Sequence, residues 1–141
     1  MKGIGADGEY WAALAQGKLK MQRCDGCGQW HWPAVWRCGE CGGWEQSWHE
    51  VEPRGRIYSW TRSWYDFGGP RDLPVPYVSV VVELDGAGGK RLLGTLDSSD
   101  VEPAIGLAVI ARSRADEFEG EPLLSLRWSA DSAANSTQEG R

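Results

Sequence analysis

Residues 24–42 read CDGCGQWHWPAVWRCGECG, and the four cysteines in this stretch are the only ones in the chain. They fall as Cys24-x2-Cys27-x10-Cys38-x2-Cys41. Two residues between thiolates let one tight turn present both sulfurs to one metal, so paired C-x-x-C knuckles have the spacing of a tetrahedral zinc ribbon. Gly28 and Gly42 each follow the second cysteine of a knuckle. Glycine there permits the positive-φ turn that aims backbone N–H groups at sulfur. Four thiolates fill the coordination sphere of one Zn2+ and leave no position for water or substrate. Such a site folds protein; it does not perform hydrolysis. His31 and His49 lie nearby, but with four thiolates present each reads as a surface residue or a support for the ligands.

Other readings of the cysteines are weaker. A redox C-x-x-C is expected within a βαβ pattern, and neither copy has one. Disulfides need an oxidising compartment, whereas the opening MKGIGADGEYW carries no apolar signal-peptide core. A four-thiolate iron centre of rubredoxin type uses the same two knuckles and stays open as a third reading.

A chain of 141 residues is one ordinary domain, or a small metal module joined to one compact domain. Its formal charge is −5, with acidic clusters at 97–102 and 116–121. Binding to phosphate backbones depends on Lys and Arg, so this balance argues against general nucleic-acid binding. A local patch of Arg54, Arg56 and Arg62 is compatible with it. The most apolar run, Val78–Val82, is too short to span a bilayer, and a soluble cytoplasmic protein is expected. Tryptophan is abundant, with nine residues. Trp30, Trp32, Trp36, Trp44 and Trp48 lie in or beside the ribbon, and Trp60 and Trp64 follow. A ribbon has almost no core of its own, so packing against a neighbouring domain is the leading reading for these rings. Exposed interface anchors, where Trp is enriched, are the other.

Along the chain, Asp7 can cap a short helix with Trp11, Leu14 and Ala15 on its apolar face, and Gly17 ends it. Leu19 and Met21 alternate with polar residues and predict a strand leading into the first knuckle. After Pro53 come five strand-like segments: 56–65, 77–84, 91–96, 107–112 and 123–128. Breakers separate them at 67–70, 85–89, 103–106 and 120–122. Five short strands with glycine-rich turns predict a small closed barrel. The five-stranded OB-fold is the preferred design and an SH3-like barrel the alternative. The chain is therefore expected to be mainly β and divided in four. Residues 1–22 give helix and lead-in strand, 23–50 the rubredoxin-like four-cysteine zinc ribbon, 51–128 the barrel, and 129–141 a small, polar, disordered tail. In the first barrel strand Tyr58, Trp60, Arg62 and Trp64 share one face. A small barrel needs bulky filling, so that face is read as interior rather than as an outer platform.

These parts in this order resemble one bacterial and archaeal family. The residues that carry the resemblance are the Tyr10-Trp11 helix, the C-x-x-C-G knuckles, Gly55-Arg-Ile-Tyr58-Ser59 and Pro76-Tyr77-Val78. Val82-Glu83-Leu84-Asp85 and Ile105-Gly106-x-x-Val109 add to it. The family is the acyl-CoA-associated zinc-ribbon/OB-fold family (domain of unknown function 35), and the likeness covers residues 9 to 128. It implies one structural Zn2+ per chain on Cys24, Cys27, Cys38 and Cys41. It also implies a non-catalytic role beside a thiolase-fold acyl-CoA enzyme, a carbon–carbon lyase (retro-aldolase) or a thiolase, some of which act in steroid side-chain degradation. A heterotetramer is the assembly expected from the family, and no catalytic residue carries over.

The residues agree with that expectation. No nucleophile sits with a base, since every cysteine is committed to metal and neither histidine has an evident partner. Asp97 and Asp100 read as solvated loop carboxylates, and 86–89 as a hairpin turn rather than a phosphate cradle. Trp30, Trp32, Trp36, Trp60 and Trp64 are the candidate partner-facing residues. Arg54, Arg56, Arg62 and Lys18 are candidates for CoA phosphates, with a solvated surface the favoured reading for each. The rival function is a single-stranded nucleic-acid module, because zinc ribbons and OB barrels both serve that role. Aromatics favour it and acidity opposes it.

Overall fold

The computed structural model describes residues 5–68, 73–97, 101–118 and 120–139. A short helix α1 (Gly8–Ala15) precedes a three-stranded ribbon sheet of β1 (Lys20–Cys24), β2 (Trp30–His31) and β3 (Gln46–Glu50). Five longer strands then close a barrel: β4 (Arg54–Ser63), β5 (Tyr77–Leu84), β6 (Arg91–Leu96), β7 (Ala108–Phe118) and β8 (Glu121–Ala130). A final helix, α2, spans Ser132–Glu139. Among the described residues no helix is long and apolar enough to cross a membrane.

Helix α1 begins after Asp7, whose carboxylate accepts a hydrogen bond from Trp11 Nε1 at 2.8 Å instead of capping the backbone. It ends in a Schellman turn: Gly17, at φ +73°, donates to Leu14 O while Lys18 donates to Ala13 O. The buried face is Tyr10, Ala13 and Leu14, one position round from the expected one, and Ala15 is exposed.

Strand β1 is more than a lead-in to the ribbon. It is the centre of the ribbon sheet, paired antiparallel with β2 through Gln22–His31 and with β3 from Lys20–Glu50 to Cys24–Gln46. Leu19 and Met21 face away from the knuckles into one apolar cluster with Tyr10, Leu14 and the barrel valines. Helix, ribbon and barrel therefore share a core.

The barrel order is β4-β5-β6-β8-β7, with β6 and β8 parallel and β4 returning to β7. This is the five-stranded OB barrel. Val78, Val80, Val82 and Leu84 alternate inward along β5 as period two demands. Trp128 is fully buried and lies across Gly94, where a Cβ would come within 2.5 Å of its Nε1. The two strands of the β7–β8 hairpin pair along their whole length and run well beyond the predicted 107–112 and 123–128. Asp116, buried in this hairpin, accepts hydrogen bonds from Ser125 Oγ (2.7 Å) and Arg127 Nη2 (3.0 Å).

Two expectations are corrected. The aromatic face of β4 is outside the barrel: Ile57 is buried, but the register with β5 slips by one between Ile57 and Ser59. Tyr58, Trp60 and Trp64 are 49%, 36% and 72% exposed. The wall they would have formed is supplied by valines and Trp128. Likewise the tail expected to be disordered from 129 onward continues β8 to Ala130 and then forms α2. Asp131 pairs with Arg54, and Asn135 makes a two-way bond with the backbone of Ala108, donating to its O at 3.0 Å and accepting from its N at 3.1 Å. The predicted breaker at 67–70 is described only through Gly68, and the acidic cluster at 97–102 only outside 98–100.

Two stability outcomes are expected. Gly94→Ala should force Trp128 off its site and lower the urea-unfolding free energy by about 1–3 kcal/mol without altering the metal content. Burial raises the Tyr10 phenol to about 12. Since the folded state holds the neutral form, stability from this group is complete below pH 10 and is lost as pH rises towards 12. The loss is about 1.4 kcal/mol per pH unit in that window. The wild-type curve should fall more steeply there than that of Tyr10→Phe.

Candidate metal centre and aromatic surface

Cys24 closes β1 and Cys27 lies in the turn to β2; Cys38 and Cys41 belong to the second turn, before β3. Their four Sγ atoms all lie within 4.8 Å of one another. Cys24 and Cys41 are 3.6 Å apart and Cys27 and Cys38 3.7 Å. A tetrahedron with Zn–S bonds of about 2.3 Å has edges of about 3.8 Å, so these sulfurs fit one such ion. Cys24 and Cys38 are buried, Cys27 and Cys41 exposed. The electrostatics also ask for a cation. The Cys24 thiol is lowered to about 7, chiefly by the Cys27 backbone N–H. At Cys27 the Gln29 N–H pulls down, but desolvation and the neighbouring sulfurs outweigh it and push the thiol up to about 12. One thiolate forms readily; the next is opposed until positive charge sits between them.

The knuckles are near copies, and the sequence carries a signal for this that the cysteine spacing alone does not show. RCDGCGQW at 23–30 and RCGECGGW at 37–44 share R-C-x-x-C-G-x-W. In each, the glycine has φ +77° and donates to the first cysteine's carbonyl at 2.9 Å. The preceding arginine reaches across the turn: Arg23 Nε donates to Gly28 O at 2.9 Å and Arg37 Nε to Gly42 O at 3.0 Å. Each guanidinium also lies over the tryptophan of its own repeat, Arg23 at 5.2 Å from Trp30 and Arg37 at 5.5 Å from Trp44. Arg and Trp thus strap each metal-binding turn from outside. His31 Nε2 stands 3.3 Å from Cys38 Sγ, as a support for a ligand, while His49 packs edge-on to Trp30.

The candidate interface tryptophans divide into two groups. Trp30 and Trp32 pack inward, Trp30 against Gly88 of the β5–β6 turn and Trp32 on Tyr10 at 4.4 Å. Trp36, Trp60 and Trp64 are exposed, joined by Trp44, Tyr58, Tyr65 and Phe67. The candidate arginines are engaged within the chain. Arg54 pairs with Glu52 and Asp131, which raise its pKa; Arg56 donates to Gly106 O; Arg62 pairs with Glu102 at 3.2 Å and lies over Trp60 and Trp64. Lys18 approaches Glu50 at 3.9 Å. Asp97 serves through its backbone N–H, on Trp128 O, and Asp100 lies outside the described residues.

Comparison with known proteins agrees with this architecture. Residues 11–45 match the family model described as the ChsH2 rubredoxin-like zinc ribbon domain, and 48–114 match the ChsH2 C-terminal OB-fold domain. Among solved structures, a chain of the Ltp2-ChsH2(DUF35) aldolase is 25% identical, with a TM-score of 0.71, over 89% of this chain and 94% of that one. A DUF35-family protein of unknown function from Sulfolobus solfataricus shares the fold at 20% identity and a TM-score of 0.58, over 92% and 87%. No curated protein matches.

Elemental analysis of the purified chain is expected to give one metal ion per chain. Chelation should then convert four unreactive thiols into four titratable ones and abolish the ribbon's near-UV tryptophan signal. Four freely reactive thiols in the untreated protein would refute the shared site.

Proposed function

Because the chain belongs to the ChsH2 family of zinc-ribbon and OB-fold proteins, we propose that it is a non-catalytic subunit of an acyl-CoA carbon–carbon lyase or thiolase-type complex. The observation that carries this reading is the near end-to-end likeness to a chain of the Ltp2-ChsH2(DUF35) aldolase. The partner is a thiolase-fold subunit that supplies the reacting groups, and the complex handles acyl-CoA, with steroid side-chain thioesters among the candidate substrates. One structural Zn2+ on Cys24, Cys27, Cys38 and Cys41 holds the ribbon closed. The chain's own contribution is a prepared surface. Trp36, Trp44, Tyr58, Trp60 and Trp64 are exposed side chains of the type that anchors interfaces. Burying them would join the subunits and help wall off an acyl-CoA site from water. Four cysteines held as metal thiolates and not as disulfides suit the reducing cytoplasm, where we place the protein.

One observation favours the rival nucleic-acid reading: Tyr58, Trp60 and Trp64 stand outside an OB barrel as a stacking platform would. Against it, Arg62 and Arg91, the cations on that platform, are paired with Glu102 and Glu83. With a net charge of −5, this leaves no cationic groove along it among the described residues.

Affinity purification of the tagged chain from its own cells, with mass spectrometry of what co-elutes, tests the proposal. A thiolase-fold protein in stoichiometric amount is expected; nucleic acid in its place overturns the reading. Cys38→Ser should lose that partner while the barrel stays folded, and a retained, active complex would contradict the role given to zinc.

A further inference from the structure

Strand β4 is sealed on one side and open on the other. It pairs with β5 from Gly55 to Ser63, but with β7 only through Arg54, Gly55 and Arg56. Ile57 is then closed by the loop before β7, donating to Leu107 O at 3.0 Å and accepting from Gly106 N at 2.8 Å. Among the described residues, no strand pairing or backbone hydrogen bond reaches Tyr58–Ser63 from that side. In an antiparallel strand the N–H and C=O groups point alternately to the two neighbours, so every second residue of this half directs its donor and acceptor outward unpaired. Six residues give an edge about 20 Å long.

Natural proteins blunt such edges with lysine, proline or short strands. This one carries a single charge, Arg62, already paired with Glu102, and its register slip lies at its start, between Ile57 and Ser59; Tyr58, Trp60 and Thr61 keep the rest extended. Its outer face is also built in advance. Arg62 lies 5.6 Å from the Trp60 ring and 6.0 Å from Trp64, and Arg91 lies 3.6 Å from Tyr58. Rings held by guanidinium groups lose little freedom when covered. Glu102 already neutralises Arg62, so what the face leaves uncovered is the exposed indoles on either side of that pair, which call for apolar side chains in whatever covers them.

We propose that Tyr58–Ser63 is a strand-addition site, filled in the complex by an extended segment of the aldolase-type partner that presents apolar side chains to the rings on either side of the Arg62–Glu102 pair. The inference rests on the subunit role proposed above. The added strand satisfies the open backbone groups, and alternate side chains of it seat on Tyr58, Trp60 and Trp64.

Amide hydrogen exchange, read residue by residue, tests this on the wild-type chain alone and in complex with the partner identified by co-purification. The outward amides among residues 58–63 should exchange rapidly in the free chain and slow at least tenfold in the complex. Trp60→Ala/Trp64→Ala, both at exposed positions, should keep the circular dichroism spectrum and weaken the complex at least tenfold. A complex that forms with unchanged exchange at 58–63 overturns the edge while leaving the subunit role standing. Failure to form any complex removes both. Protection of this segment by a single-stranded oligonucleotide instead would assign the platform to nucleic acid and overturn the strand-addition site.

Discussion

Four cysteine sulfurs within 4.8 Å of one another form one donor set with the spacing of a tetrahedral metal site, and the ribbon and its junction with the barrel are built around it. Cys24 is both a ligand and the last residue of β1. Fixing it fixes a strand whose far side carries Met21, preceded by Leu19, into the same core as Val80, Val82 and Trp128. Helix α1 joins that core through Tyr10 and Leu14, and Trp32 of the ribbon lies on Tyr10. Metal centre and barrel are thus coupled through a few apolar side chains on one strand. Loss of the cation would be felt first in the turns, next in β1, and last in the barrel, which retains its own valine core.

The parts most legible in the sequence are those set by local chemistry. Cysteine spacing with Gly28 and Gly42 predicts both knuckles, and the apolar run bounded by breakers predicts the strand at Tyr77–Leu84. What local pattern misses is decided by partners distant in the chain. Tyr58, Trp60, Arg62 and Trp64 alternate as an interior face would, yet one slipped register at Ile57–Ser59 and filling by Trp128 place them outside. Helix α2 is invisible to hydrophobic periodicity because Asn135 and Asp131 attach it by polar bonds to Ala108 and Arg54 rather than by an apolar stripe. The R-C-x-x-C-G-x-W duplication is readable in the sequence, but only the fold shows that its Arg and Trp touch.

Arginine follows one pattern across the molecule. Arg23 and Arg37 brace the knuckles, Arg54 holds α2, and Arg62 and Arg91 brace aromatic rings. Cations occupied in this way are poor receptors for free phosphate, because binding one would first require breaking contacts with Glu52, Asp131, Glu102 or Glu83. They are good scaffolds. A guanidinium held over an indole fixes the ring without burying it, and a fixed, exposed ring is what protein recognition uses most effectively. The same side chains that make the surface a poor phosphate groove are the ones that suit it to the interface proposed above, so the acidity of the chain and its wealth of tryptophan fit a protein partner better than a nucleic acid.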